Sequence, residues 1–427
     1  MGNKRKYLTI TTAIVVILAL TLFYSSLSFN KNETAIAQDL MAGIKPNIVN
    51  VSNAITDRFI SSTQHFSIEL FKNSIKKDEN SLISPASVFL ALGMTANGTS
   101  GETLNSFITC LGKYGLTLDE LNKAYKGYSD ELTEERGRTA LNITNSIWFR
   151  NDFTPKAEFL QNNADYFGAG ARNLNFNDKA SADVINDWVR NNTNGKIDKI
   201  IDEINPDEVM HLINTIYFNA KWKTPFDMEQ KASQGNFYLS NSKTQTTMFM
   251  HLTDQLDYIS GPSASAVLLP YDDGRFAFLA ILPNEGIKLD EYIKILDERT
   301  IPELISQKRN THIAVTIPKF KTSGNFELKD TLKNMGLGIA FDEIRADFSK
   351  MGNSDEKLII SSVKHKTFLQ FDELGTEASA VTDVVVKATG IYGTIQNIVF
   401  NRPFVYAIVD TNTNLPLFLG TMENPQS

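Results

Sequence analysis

Every second residue from Thr376 to Ala388 is small or β-branched and uncharged: Thr376, Ala378, Ala380, Thr382, Val384, Val386 and Ala388. The alternate positions Glu377, Ser379, Val381, Asp383, Val385 and Lys387 hold every charge of the segment. Successive side chains of a strand point to opposite faces, so this pattern has one face for a core and one for water. Its start, Gly375 to Ala380, carries little side chain to nucleate a strand, and 389–397 (TGIYGTIQN) reads as exposed loop. The segment is therefore expected to be a loop in one state and a strand in another.

The rest of the chain alternates helical and strand periods. Ile55, Phe59, Phe66, Ile68, Leu70 and Phe71 predict a helix over 54–73. After a short strand at 80–83, Ser84 caps and Pro85 opens a helix that presents Val88, Leu90, Leu92 and Met94 to a core. Mostly polar helix is expected over 112–138, an alternating strand over 140–150, helix over 154–166, and a helix with Ile185, Trp188 and Val189 on one face, stopped at Asn194-Gly195. The stretch 209–226 is a nearly unbroken apolar strand with one awkward residue, Asn214. A buried amide costs about 1–3 kcal/mol unless it is hydrogen-bonded. Strands dominate from Ser233 onward (247–251, 265–270, 276–283, 312–320, 358–369), with helices at 287–295, 300–307 and 326–335 and a closing hairpin of 404–410 with 415–422.

The amino terminus differs in kind. Lys4, Arg5 and Lys6 precede an uncharged run over 7–29, the pattern of a secretory signal or an uncleaved signal anchor. A spanning helix needs about 20 apolar residues, so length does not separate the two. The expected division is a signal peptide or signal anchor over 1–37, a poorly ordered linker over 38–53 and a folded domain over 54–427. That places the domain outside the cytoplasmic membrane, either secreted or tethered to its outer face, with membrane contact through the amino-terminal segment alone.

A net charge of −7 without a basic stripe argues against nucleic acid as a partner. With one cysteine, Cys110, no intramolecular disulfide can form. None of the five histidines lies in HExxH, and neither GxSxG nor GxxxxGK[ST] occurs. No catalytic residue, cofactor or metal site is expected.

ELGTEASA, followed some way on by FNRPF, is similar to the hinge and reactive-centre loop of the serpins, the serine protease inhibitor superfamily. Further motifs in the same order resemble that family: NSLISPASVFLALGM from Asn80, INDWV and TNGKI from Ile185, LINTIYFNAKWKTPF from Leu212, and LFLG before Asn424-Pro425. The resemblance spans about 63–425. It implies a mixed α/β fold with a large central sheet, further sheets, about nine helices and an exposed reactive-centre loop.

It also implies roles. Glu373, Gly375, Thr376, Glu377, Ala378, Ser379 and Ala380 match the hinge. Ser84, Pro85 and Ser87 match the shutter, where the central sheet must part, together with Asn214 and its cross-sheet partner His365. Trp222 matches the residue under the upper end of the loop site, and Lys319 the ion-pair partner of Glu373. Two departures are Leu374, where a polar residue is usual, and Thr215, where alanine is usual.

The implied activity is suicide inhibition rather than catalysis. A serine protease attacks a loop carbonyl and forms an acyl-enzyme, and the freed hinge then adds to the sheet, a mode of strand addition for which serpins are themselves the usual example. The partner is that protease, in a covalent acyl complex, and a monomer is expected. Counting forward from Gly375 by the family's spacing places the scissile bond at Thr389–Gly390; counting back from Phe400 gives Tyr392–Gly393. We favour the hinge count, because the length of strand inserted sets how far the protease is carried. Thr389 implies elastase- or subtilisin-like targets, and Tyr392 chymotrypsin-like ones. The alternative is a non-inhibitory serpin, a binding protein or plain substrate, whose signature is a bulky or charged inward hinge residue; Thr376, Ala378 and Ala380 lack it.

Overall fold

The computed structural model describes residues 37–134, 139–226, 232–353, 358–376 and 395–425. Two helices near the start set the core. Helix α1, Asp57–Ser74, is capped by the Thr56 side chain, which accepts from the Phe59 N–H. Helix α2, Pro85–Ala96, is buried at every position. A helix without a polar face belongs in the interior, and α2 packs against α1 and strands of both large sheets.

The central sheet has seven strands: β1 Gln38–Asp39, β2 Ala140–Arg150, β3 Gly170–Leu174, β4 Met210–Lys221, β5 Phe320–Glu327, β6 Ser362–Phe371 and β7 Gly375–Thr376. They lie in the order β1-β3-β2-β4-β7-β6-β5. The relation of β4 to β6 positions everything that follows. The two are parallel, and their ladder joins 362–366 of β6 to 211–215 of β4. Above Thr215 and Lys366 no further rung joins them among the described residues. Instead β7 stands between them, antiparallel to both, with Thr376 opposite Ala220 on one side and Phe371 on the other.

A second sheet of nine strands runs Gln396–Val399, Arg309–Pro318, Thr244–Ser260, Ala264–Pro270, Phe276–Pro283, Phe404–Asp410, Leu415–Met422 and Ser81–Ile83 in spatial order, with Ser233–Tyr238 added beside Thr244–Ser260. All eight residues of Phe276–Pro283 are buried, which explains its unbroken apolar sequence. Nine α-helices occur among the described residues. The architecture is the mixed α/β fold that the motifs imply, and the closing hairpin has the expected bounds.

Several elements depart from the sequence reading. The helix expected over 112–138 is Leu118–Thr133, closed at its start by a capping box of Thr117 and Glu120, and a separate helix, Gly101–Leu111, precedes it. The helix expected over 326–335 begins only at Lys329, because β5 occupies Phe320–Glu327. Residues 38–53 were expected to form a linker, yet they lie on the fold. Gln38 and Asp39 pair with Asn173 and Arg172, and both the backbone and side-chain amides of Asn47 donate to Asp165 at 2.7 and 3.0 Å. An edge strand such as β3 leaves a row of backbone groups to be satisfied, and β1 satisfies them.

Candidate functional site

The lower part of the β4–β6 junction is closed by a buried, uncharged network. Asn214 on β4 and His365 on β6 are register partners, and His365 Nδ1 lies 2.7 Å from Asn214 Oδ1. The Ser84 backbone N–H donates to His365 Nε2 at 3.0 Å, which leaves the ring proton on Nδ1, facing Asn214. Burial lowers the His365 pKa from 6.5 to about 3, so the ring is neutral at physiological pH. Asn214 Oδ1 also accepts from Ser87 Oγ at 2.6 Å, while its amide donates to the Ser87 carbonyl at 2.8 Å and to Asn145 Oδ1. All four hydrogen-bonding capacities of this amide are thus used. Pro85 occupies the first turn of α2, and Ser84 Oγ donates to the Leu417 carbonyl at 2.6 Å, so the network ties α2 to both sheets.

The upper part is organised by a tight hairpin. The Asp372 N–H donates to the Gly375 carbonyl at 3.0 Å, and Asp372 Oδ1 accepts from the Leu374 N–H at 3.0 Å. This turn carries the chain from β6 back as β7. Trp222 fastens it: its indole N–H donates to the Asp372 carbonyl at 2.8 Å and its backbone N–H to the Leu374 carbonyl at 3.0 Å. Leu374 therefore contributes through its backbone, which any residue supplies. Lys319 Nζ lies 2.6 Å from Glu373 Oε2 at the mouth of the site. Gly375 threads a passage too narrow for a side chain, since a Cβ there would run into the Ala220 carbonyl and sit 2.8 Å from Lys221 Cα.

Thr376 points inward, as the sequence parity requires, and is 1% exposed. Its Oγ1 lies 2.5 Å from the hydroxyl of Tyr271, whose ring stacks on Trp222 with centroids 4.6 Å apart and planes 14° from parallel. Glu377, Ala378, Ser379 and Ala380 lie outside the described residues, as do Thr389, Gly390, Tyr392, Gly393 and the segment 1–36.

The structure thus brings Ser84, Pro85, Ser87, Asn214 and His365 together at one level of the central sheet, and Trp222, Lys319, Glu373, Gly375 and Thr376 at another. Sequence reasoning missed Asn145, Tyr271 and Thr367, whose hydroxyl donates to the Leu82 carbonyl at 2.6 Å and accepts from the Gly324 N–H at 3.1 Å. Local sequence singles out neither Asn145, which stands between Thr144 and Ser146, nor Thr367, which follows Lys366 in a largely polar strand. Below β7 the two strands are joined directly only at 211–215 and 362–366, where the His365–Asn214 bond lies.

Comparison with known proteins agrees with this geometry. A family model described as Serpin (serine protease inhibitor) matches residues 61–425. Serpin A3-3 of Bos taurus is 32% identical over 86% of this chain and 89% of its own length. The thermophilic serpin Tengpin in its native state has a TM-score of 0.86 at 43% identity, covering 91% of this chain and 99% of that one. In its latent state the TM-score is 0.77 at 40% identity, covering 90% and 100%. Thyroxine-binding globulin in complex with thyroxine has a TM-score of 0.78 at 25% identity, covering 86% and 99%. The two-level junction between β4 and β6, the matched motifs and these relatives lead to one statement: the chain belongs to the serpin family.

Proposed function

We propose that this chain inhibits a serine protease by a suicide mechanism: cleavage of its reactive loop, trapping of the acyl-enzyme, and insertion of the hinge between β4 and β6. Members of this family are in general protease inhibitors rather than catalysts. The observation that carries the finer reading is β7, which already pairs with both strands at the head of a gap whose lower end is closed. On insertion, further residues of the same parity would extend this strand downward, with their small side chains toward the core. Insertion must outrun hydrolysis of the acyl bond, and a strand already started has passed its costly first step.

The favoured bond is Thr389–Gly390, with elastase- or subtilisin-like targets, against Tyr392–Gly393 with chymotrypsin-like ones. The chain acts as a monomer and is exported by its 1–37 segment, to be secreted or held at the outer face of the membrane. A panel of purified proteases tests this reading. A complex that survives denaturation, with a released fragment beginning at Gly390, is expected.

A second reading rests on the likeness to thyroxine-binding globulin, which was solved with thyroxine bound. On that reading the chain is a binding protein that proteases merely cut. Cleavage of the loop by every protease tried, without a covalent complex, favours it.

A further inference from the structure

We infer that Tyr271 is a positioning residue that pins the register of the inserting strand by pairing its hydroxyl with that of Thr376. This deepens the inhibitory reading and rests on it. Tyr271 is fully buried, and among the described residues its hydroxyl has Thr376 as its partner. Its position is fixed from two sides: the ring stacks on Trp222, and its backbone N–H donates to the Phe276 carbonyl at 3.0 Å. Burial raises its pKa well above the ordinary value, so the phenol keeps its proton and can donate.

Register matters here more than at most strands. A slip of one residue turns every side chain of a strand to the opposite face. In this hinge it carries Glu377, Asp383 and Lys387 into the core and Thr376, Ala378 and Ala380 to the surface. Burial of those charges opposes a full slip, but before they enter the sheet the small inward residues do little to fix the first pairing, and there a directional contact supplies the selectivity. The Tyr271 hydroxyl provides one, because it is satisfied when a hydroxyl occupies position 376 and left buried and unpaired otherwise. Gly375 adds a steric check one residue earlier, where a side chain meets the Ala220 carbonyl.

The pin acts before cleavage. It holds the first two hinge residues in the sheet, so that after acylation the strand grows from a correctly registered start. Without it the hinge leaves the sheet more often, insertion starts later or out of register, and more acyl-enzyme is hydrolysed.

A double-variant cycle on the full chain tests this, with inhibitor consumed per protease molecule inactivated as the readout. Tyr271→Phe keeps the ring and its stacking, and Thr376→Val keeps the shape of the hinge. Each alone is expected to raise consumption by about two- to tenfold, the range one neutral hydrogen bond supports. The double variant is expected to be no worse than the worse single variant, because both changes remove the same contact. Additive effects, or an unchanged Tyr271→Phe variant, overturn the inference. Amide exchange at Gly375 and Thr376 separates it from the inhibitory reading. If the parent chain forms no covalent complex, that reading fails, while faster exchange in Tyr271→Phe still supports the pin and unchanged exchange overturns it.

Discussion

His365 and Asn214 are bonded to each other across the last rung but one of the β4–β6 ladder, below the level of Ala220 and Phe371 where β7 separates the two strands. Adjacent strands lie about 4.8 Å apart, so a strand placed between them about doubles their separation and breaks a direct side-chain bond. The closed network and full insertion therefore exclude each other. The native sheet is held shut by neutral hydrogen bonds, which are cheaper to exchange than an ion pair in the same place.

Acid should weaken this closure. The His365 pKa is about 3 in the fold against 6.5 ordinarily, so between those values the unfolded chain binds more protons. The contribution is complete above the ordinary value and is lost as pH falls toward the folded one. Protonation also removes the acceptor that Nε2 offers to the Ser84 N–H. Denaturation midpoints at about pH 7 and about pH 5 should differ, mostly through His365, because carboxylates titrate lower in the unfolded chain. A His365→Gln variant should lose most of that difference; retention of it in full contradicts the assignment.

Asn214→Ala should be costly. It leaves His365, Ser87 and Asn145 each short of a partner. Each buried unpaired group costs about 1–3 kcal/mol. A fall in thermal unfolding temperature, with native secondary structure retained, is expected. Near-neutral behaviour in calorimetry means the network is not what closes the sheet.

Two neighbouring hinge positions should behave differently. Lys319 and Glu373 are 2.6 Å apart, but the lysine side chain is 42% exposed. Such a pair is worth about 0–1 kcal/mol, so Glu373→Gln should barely move the unfolding midpoint. Gly375→Ala meets the Ala220 carbonyl and should expel β7, which limited proteolysis reads as faster cutting in the hinge. Equal proteolysis of the two variants contradicts the tight passage.

Much of this was legible in the sequence, for a particular reason. Asn214 stands out as an awkward residue in a nearly unbroken apolar stretch, His365 comes through the resemblance to the serpins, and the inward Thr376 follows from a two-residue period. Tyr271 did not stand out, since an aromatic residue at the end of the apolar run 264–270 needs no explanation until its hydroxyl is seen. Strand β5 was hidden because its inward set is Phe320, Thr322, Gly324 and Phe326, a pattern with apolar residues only at its ends. Gly324 is required there by the close approach of the Leu82 carbonyl, a contact between residues far apart in the chain. The docking of 38–53 depends on an open sheet edge at β3, which local sequence cannot reveal.

The register of β7 makes a further prediction. With Thr376 opposite Ala220 and Phe371, continuing the strand brings Thr382 level with Asn214 and His365. Its hydroxyl can then replace the bond that insertion breaks. Thr382→Val should slow insertion at this level, seen as a several-fold rise in inhibitor consumed per protease inactivated. An unchanged value shows that the separated partners are satisfied in some other way.

The most direct measurement is the outcome of cleavage in Thr376→Arg. Thr376 already occupies the core between β4 and β6, and an arginine there places an unpaired charge in an apolar site, at a cost of several kcal/mol. If hinge insertion drives inhibition, the parent forms a denaturant-resistant covalent complex with its target protease, and the variant is cut at the same bond and released as a substrate. Unchanged inhibition stoichiometry in Thr376→Arg contradicts the account.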